Sequence, residues 1–597
     1  MFRYVGLAWN PSRQSCSLEA DHLTEVLNGA SGWTKALARP GLQVFAAGTK
    51  PRINGTYEMH GGPGVVLGRL FRRAKLDSLE AADITLTRQE TEEIRESGGR
   101  SLMLDFWGRY VAFIQTASGP TCVIRDPSGT LPCFRIQHKG VAIVFSWLED
   151  VLALLPSSAL PRVNWEALHA HILFGGLGWH ETALAGVSQI VPGERLELDS
   201  ETATLLWSGV DIAASPSATD SEVATPQLRE RVRNCTHAWA SCHDTILLRL
   251  SGGVDSSILA SCLAADSTQV DIICINYHSD GSDSDERRYA RLAALRAGRD
   301  LIEREREPDF RLDRVLTVAR MPEPVAYGGW MNAATDARLA AAHAASAMFT
   351  GAGGDPLFFE FSRWWPAADY LHDRGLDRGF AAAAMDAARL GKVSVWDVIG
   401  KAMSEWLHPG PRARTTDVHA NLLLVPEALA PNWHRERFVH ADLLRSTLSI
   451  GKHMQAAHLL HPIGYYDPFE QGSAPEIVNP LLSQPLVELC LRLPTYVLTS
   501  GGQGRALARR AFAPDLHHDI ATRRSKGGME EHVKAVLLSN LDFARAMLLE
   551  GELARRGLID RNKVELLLSD KPTTLAAPMG HIHALIGVEA WLTRWQR

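Results

Sequence analysis

Residues 251–257, Ser-Gly-Gly-Val-Asp-Ser-Ser, gather two glycines, three hydroxyls and one carboxylate into seven positions. Gly252 and Gly253 carry no Cβ, so backbone N–H groups there can close on a phosphate, and Ser251 and Ser256 add hydroxyl donors. A carboxylate such as Asp255 is unwelcome beside a bare polyphosphate; a divalent cation bridging it to phosphate oxygens gives it a use. One hundred positions on, Thr350-Gly351-Ala352-Gly353-Gly354-Asp355 repeats the theme of a glycine-rich turn carrying one aspartate. Side by side, the two turns would set Asp255 and Asp355 on either side of a single magnesium polyphosphate. A strand-to-helix turn with capping residues has the same composition, so the elements around each turn decide what it can do.

Those elements are legible. Ile246, Leu247, Leu248 and Leu250 form an apolar run, and Val254, Ile258, Leu259, Cys262 and Leu263 recur at helical spacing, which predicts strand, turn and helix in that order. A second strand over 270–277, reached through one helix, makes a right-handed βαβ unit and a parallel sheet. Cap-type residues at 283–286 start the next helix and Gly298 closes it. Strands are expected at 300–305 and 346–350. Ligands of open α/β sheets bind beyond the carboxyl ends of the strands, where the strand order switches, and both glycine turns follow predicted strands.

Upstream, β-prone runs at 44–47, 65–70, 109–115, 121–125, 134–137 and 141–145, with helices at 16–28, 86–97, 147–155 and 164–173, predict a layered α+β unit over residues 1–210. Small polar residues at 211–225 predict a linker, followed by a helix over 226–241. Beyond 356 the chain is helical and alanine-rich, and residues 407–436 are expected as a long exposed connection, a lid. The aromatics at 358–365 and Tyr465-Tyr466 suit core packing better than a grip on peptide. His434, His440, His453, His458 and His461 lack ligand spacing.

A chain of 597 residues with 46% hydrophobic and 22% charged residues supports a large soluble core. The net charge of −6 with dispersed basic residues excludes an extended nucleic-acid surface, and Arg69, Arg72, Arg73 and Lys75 are expected on a solvated face. Eight cysteines without a Cys-x-x-Cys pair fit a reducing, cytoplasmic setting. The N-terminus lacks the pattern of a signal peptide, and no apolar run is long enough for a membrane span.

Ser251 to Ser257 contains no Walker A pattern and instead resembles the phosphate loop of ATP pyrophosphatases, which cleave ATP between the α- and β-phosphates to adenylate an oxygen. Further segments carry a wider resemblance. Asp105 to Phe113, Arg125 to Pro132, Phe145 to Ala153 and Gly186 to Gly193 are similar to landmarks of the glutamine amidotransferase domain of class B asparagine synthetases, which has the N-terminal nucleophile αββα fold. That family's nucleophile is a cysteine exposed by loss of Met1; here the second residue is Phe2, and Cys16 offers no neighbouring α-amino group. The resemblance therefore implies the fold without the glutaminase. The second glycine turn resembles the family's other nucleotide motif. By that resemblance Asp255 and Asp355 hold Mg²⁺ with pyrophosphate, and Leu250, Ile275, Thr350 and Gly351 contact ATP with Ser251, Gly252, Gly253 and Ser256. Residues 479–494, 505–512 and 523–528 are similar to the family's C-terminal signature. Its Lys526, between cationic neighbours, can neutralise charge building on the α-phosphate and the leaving pyrophosphate; in β-lactam-forming synthetases the corresponding lysine stabilises ring closure.

The resemblance implies residues 226–597 as an ATP-dependent synthetase. Both asparagine and β-lactam synthetases place a functional Glu or Tyr after the first glycine of the second turn, where this chain has Ala352, and Pro356 replaces the usual acidic residue. With the idle amidotransferase half, this points to the lasso peptide cyclases: adenylation of an Asp or Glu side chain of a leader-free core peptide, then attack by its N-terminal amine to close a macrolactam. A precursor peptide, a leader peptidase and a leader-binding protein would be its partners, with no nucleic acid and no membrane. An ammonia-dependent asparagine or other small-molecule amide or β-lactam synthetase is the alternative, and an idle scaffold a further one.

Overall fold

In the computed structural model the described residues are 1–73, 84–174, 180–215, 220–264, 270–279, 285–307, 310–317, 321–324, 331–409, 423–425, 443, 445–460, 475–524, 527, 530–569 and 579–596. The first half builds two six-stranded antiparallel sheets. One contains β1 (Arg3–Trp9), β2 (Trp33–Arg39), β3 (Leu42–Ala47) and, from farther on, β8 (Phe134–His138), β9 (Val141–Phe145) and β10 (Val187–Gln189), in the order β10-β8-β9-β1-β3-β2. The other contains β4 (Gly55–Glu58), β5 (Gly64–Arg72), β6 (Phe106–Gln115), β7 (Thr121–Arg125), β11 (Glu194–Glu197) and β12 (Ala203–Leu205), in the order β12-β11-β7-β6-β5-β4.

Period-two alternation assigns each side chain a layer. Tyr4, Val44, Ala46 and Val144 of one sheet meet Val65, Leu67, Val111 and Phe113 of the other. The opposite face of β1, with Val5, Leu7 and Trp9, packs under helix α1 (Gln14–Gly29), and the outer face of β6 packs with Ile94, Leu102 and Met103 of the helices α2 (Arg88–Glu96) and α3 (Arg100–Asp105). The result is four layers, helix, sheet, sheet, helix. Phe2 is buried in the inter-sheet core.

The second half carries a five-stranded parallel sheet, β13 (Thr245–Arg249), β14 (Asp271–His278), β15 (Leu301–Glu305), β16 (Ala347–Phe349) and β17 (Glu476–Val478), ordered β15-β14-β13-β16-β17. The order switches between β13 and β16. Ile246 and Leu248 face one core and Leu247 the other, which explains the unbroken apolar run of a strand covered on both sides. Together the halves form a mixed α/β molecule, antiparallel first and parallel second. No helix among the described residues is long and apolar enough to cross a membrane.

Three expectations need correction. Residues 221–225, expected in a linker, open helix α4 (Ser221–Ala240), because the Asp220 side chain accepts from the backbone of Glu222 and Val223; Pro226 lies inside the helix and forfeits one backbone bond. Arg69, expected in solvent, is fully buried on β5 beside the Phe71 ring. Arg72 pairs with Glu90 at 2.8 Å and Arg73 grips Glu488 with both terminal nitrogens, at 2.7 and 2.8 Å; their strand runs into the seam between the halves. Lys75, most of residues 407–436, Tyr465 and Tyr466 lie outside the described residues.

The seam is apolar with a few buried polar groups. Phe71 stacks on Trp107 at 4.5 Å, and Trp239 of α4 meets both rings edge-on. Glu488 accepts from Arg73, from the Trp207 indole at 2.8 Å and from Gln484 at 3.0 Å.

Candidate nucleotide site at the strand-order switch

Beyond β13 the chain turns through Leu250 to Gly253 into helix α5 (Val254–Ala264). The Leu250 N–H donates to Ile275 O at 2.8 Å and its carbonyl accepts from Asn276 at 2.9 Å, so the turn starts from a fixed point. The Ser251 hydroxyl accepts from the Gly253 N–H at 3.2 Å and lies 3.2 Å from the Ser256 hydroxyl. Ser251 is exposed while Asp255 and Ser256 are buried in the first helical turn. The positive end of α5 thus lies where the strand order switches, a field that favours an anion. The Leu250 and Ile275 side chains themselves are core, buried on opposite faces of the sheet.

The second turn follows β16. Thr350 donates its N–H to Val478 O at 3.1 Å and its hydroxyl to Asn479 at 2.6 Å, and its hydroxyl oxygen accepts from the Ala352 N–H. The two turns lie against each other. A Cβ on Gly351 would come within 3.0 Å of the Ser256 nitrogen and 3.2 Å of the Asp255 Cβ, and one on Gly354 would overlap the Asp255 carboxylate. Only glycine permits that approach.

Asp255 and Asp355 converge on one group, Arg505. Its Nε lies 2.9 Å from Asp255, one terminal nitrogen pairs with Asp355, and the other lies 2.8 Å from Glu360. Burial works against the charge of Arg505, but Asp255, Asp355 and Glu360 outweigh it and hold its pKa above the ordinary arginine value. Arg509 fixes the preceding turn by donating to Gly504 O, Ile520 O and Ala521 O; burial and the repulsion of Arg505 push its pKa down to about 10.

Lys526 lies outside the described residues. Its neighbour Gly527 donates to Glu286 at 3.0 Å, and Glu286 pairs with Arg523 at 2.7 Å, whose guanidinium covers the Tyr289 ring at 3.9 Å. Arg523 and Gly527 are thereby tied to the helix Arg287–Ala297 beside the first glycine turn.

Sequence reasoning placed Arg505 in the C-terminal signature without giving it a role, and it passed over Glu360. The signal for Arg505 was a third glycine turn, Gly501-Gly502-Gln503-Gly504, directly before it. Among the described residues no three His, Cys, Asp or Glu side chains stand as a metal-ligand set, and His453 is buried in its helix; His434, His440 and His461 lie outside them. Phe358 and Phe359 are core. Burial pushes the thiols of Cys122 and Cys133 up to about 11, so they are neutral near pH 7.

A family model described as asparagine synthase matches residues 227–595. No curated protein matches the chain. Among solved structures, one titled as the allosteric regulatory enzyme of purine biosynthesis covers 52% of this chain and 81% of its own, at 10% identity and a TM-score of 0.19. The glutamine phosphoribosylpyrophosphate amidotransferase from B. subtilis, complexed with ADP and GMP, covers 52% and 82%, again at 10% identity and 0.19. At that TM-score neither carries a structural argument.

Proposed function

The chain belongs to the asparagine synthase family, a family of ATP-dependent carbon–nitrogen ligases, and from that premise we propose that it is a macrolactam synthetase of the lasso peptide type. It adenylates an Asp or Glu side chain of a leader-free core peptide and joins it to the peptide's own N-terminal amine. The observation that carries the nucleotide chemistry is the meeting of the two glycine turns, with Asp255 and Asp355 on one cationic centre at the strand-order switch.

In this reading the amides after Gly252 and the hydroxyls of Ser251 and Ser256 hold the phosphates, while the backbone at Leu250, Ile275, Thr350 and Gly351 lines the nucleotide. The residues fit a magnesium ion, since Asp255 and Asp355 already share a cation and phosphate oxygens would complete its shell. Bound there, Mg²⁺ neutralises charge on the pyrophosphate. The substrate carboxylate attacks the α-phosphorus and pyrophosphate leaves; the neutral amine then attacks the acyl carbon and expels AMP, giving up its proton to a base. Lys526 balances charge on the phosphates in both steps.

The substrate class rests on Ala352, which leaves no carboxylate or phenol after Gly351, and on Phe2, whose ring is packed in the sandwich core instead of offering a nucleophile. With residues 1–210 serving as support, glutamine supplies no ammonia. A precursor peptide, a leader peptidase and a leader-binding protein are the proposed partners. Pyrophosphate release tests the reading: release that requires precursor peptide and peptidase, with a product lighter by one water, supports it. Release with aspartate and ammonia alone replaces it with a small-molecule amide synthetase, and no release with any carboxylate makes the chain a scaffold.

A further inference from the structure

Arg505 is an unusual cation. Its side chain is 5% exposed, yet all three edges of the guanidinium face carboxylates, from Asp255 on α5, Asp355 after the second turn and Glu360 beyond it. Three carboxylates thus surround one guanidinium in a partly buried site, and Asp255 and Glu360 also feel the charge of Arg509. Carboxylate oxygens gathered this closely are ones a divalent cation can take. Its backbone lies in the left-handed region, φ 56°, which L residues seldom adopt. The Arg509 bonds to Gly504 O and to the helix His518–Thr522 hold the turn behind it. Arg505 is thus aimed by the frame at the oxygens a metal would use.

We propose that Arg505 is a resident counter-cation for the aspartate pair. Without nucleotide it holds Asp255 and Asp355 together; when a divalent ion takes their oxygens the guanidinium yields them and stays anchored on Glu360. The inference rests on the nucleotide reading of this site and adds to it a competition between an internal and an external cation. The site is thereby built before ligand arrives, and a divalent ion without nucleotide binds weakly.

Titration of nucleotide-free protein with Mn²⁺ alone, by calorimetry and electron paramagnetic resonance, tests this. Arg505→Gln binds Mn²⁺ about tenfold more tightly than the wild type, because the occluded state is removed. Its melting temperature falls in metal-free buffer and recovers with Mg²⁺, whereas the wild type changes little. Glu360→Gln binds Mn²⁺ more weakly, since the guanidinium has lost its alternative anchor. If Arg505→Gln fails to fold, Arg505→Lys decides, with an affinity between wild type and the expected gain. Unchanged, weaker or absent Mn²⁺ binding in the Arg505 variants overturns the proposal. Pyrophosphate release by the wild type tests the ligase reading separately.

Discussion

Glu488 at the seam and Arg505 at the strand-order switch are both buried charges, and they differ in how they are surrounded. Glu488 is one carboxylate met by a surplus of donors: two from Arg73, one each from Trp207 and Gln484. Burial alone would raise its pKa, but those donors outweigh burial and hold it below the usual glutamate value. Such a group is finished and needs no ligand. Arg505 is one cation met by three carboxylates, whose oxygens a further cation can share. The balance of donors to acceptors separates a structural polar cluster from a site better than burial does.

The comparison is broken most severely at the aspartates. Asp355→Asn lowers the rate of pyrophosphate release about 10²–10³-fold, the usual loss when one electrostatic contact to the transition state is removed, while melting temperature with substrate absent stays within a few degrees. Glu488→Ala does the reverse. It strands Arg73 and costs about 3–5 kcal/mol of stability in denaturant titration, with pyrophosphate release per folded molecule unchanged. Phe2→Ala, at the core of the sandwich, costs about 3 kcal/mol, again without changing that rate. If Phe2→Ala lowered the rate as far as Asp355→Asn, the division between support and chemistry would be lost.

Two pH effects are smaller. The folded-state pKa of Glu488 is depressed, so its contribution is fully present above the unfolded value near 4.5 and is lost as pH falls through the folded value; Glu488→Gln flattens that acid limb. Burial pushes Lys452 down to about 8 from 10.5, although it donates to Gln455 at 2.7 Å and to the carbonyls of Cys490 and Leu493. The unfolded chain then binds the extra proton between these values, so stability rises with pH across that window. Lys452→Met removes the rise, measured as denaturation midpoints from pH 7.5 to about 10.

Much of the site was readable because its two turns carry their own chemistry: continuous apolar strands, glycines and an aspartate at a repeated offset. The third turn was passed over since an arginine at the start of a helix looks like any solvated charge until three carboxylates are found around it. Arg69 failed for the same reason, as a cluster of basic letters does not reveal that one lies on a strand entering a core. β1 escaped because Tyr4 and Ala8 on one face and Val5, Leu7 and Trp9 on the other leave no polar alternation. β17 is only three residues long and pairs with a strand far away in sequence. A layered first half was expected from strand density and its αββα form from the family resemblance, whereas the strand order came only from the structure.

The helix Met579–Trp595 packs its Ile582, Ile586 and Leu592 into the same cluster as the outer face of β1, and Arg594 pairs with Glu149. Because synthesis runs from the amino end, the helix Trp165–Phe174, on which this helix packs, keeps that surface bare until the later helix has been made. The nascent protein must therefore be shielded during translation, and truncated products that stop before this helix are the ones bound to clump.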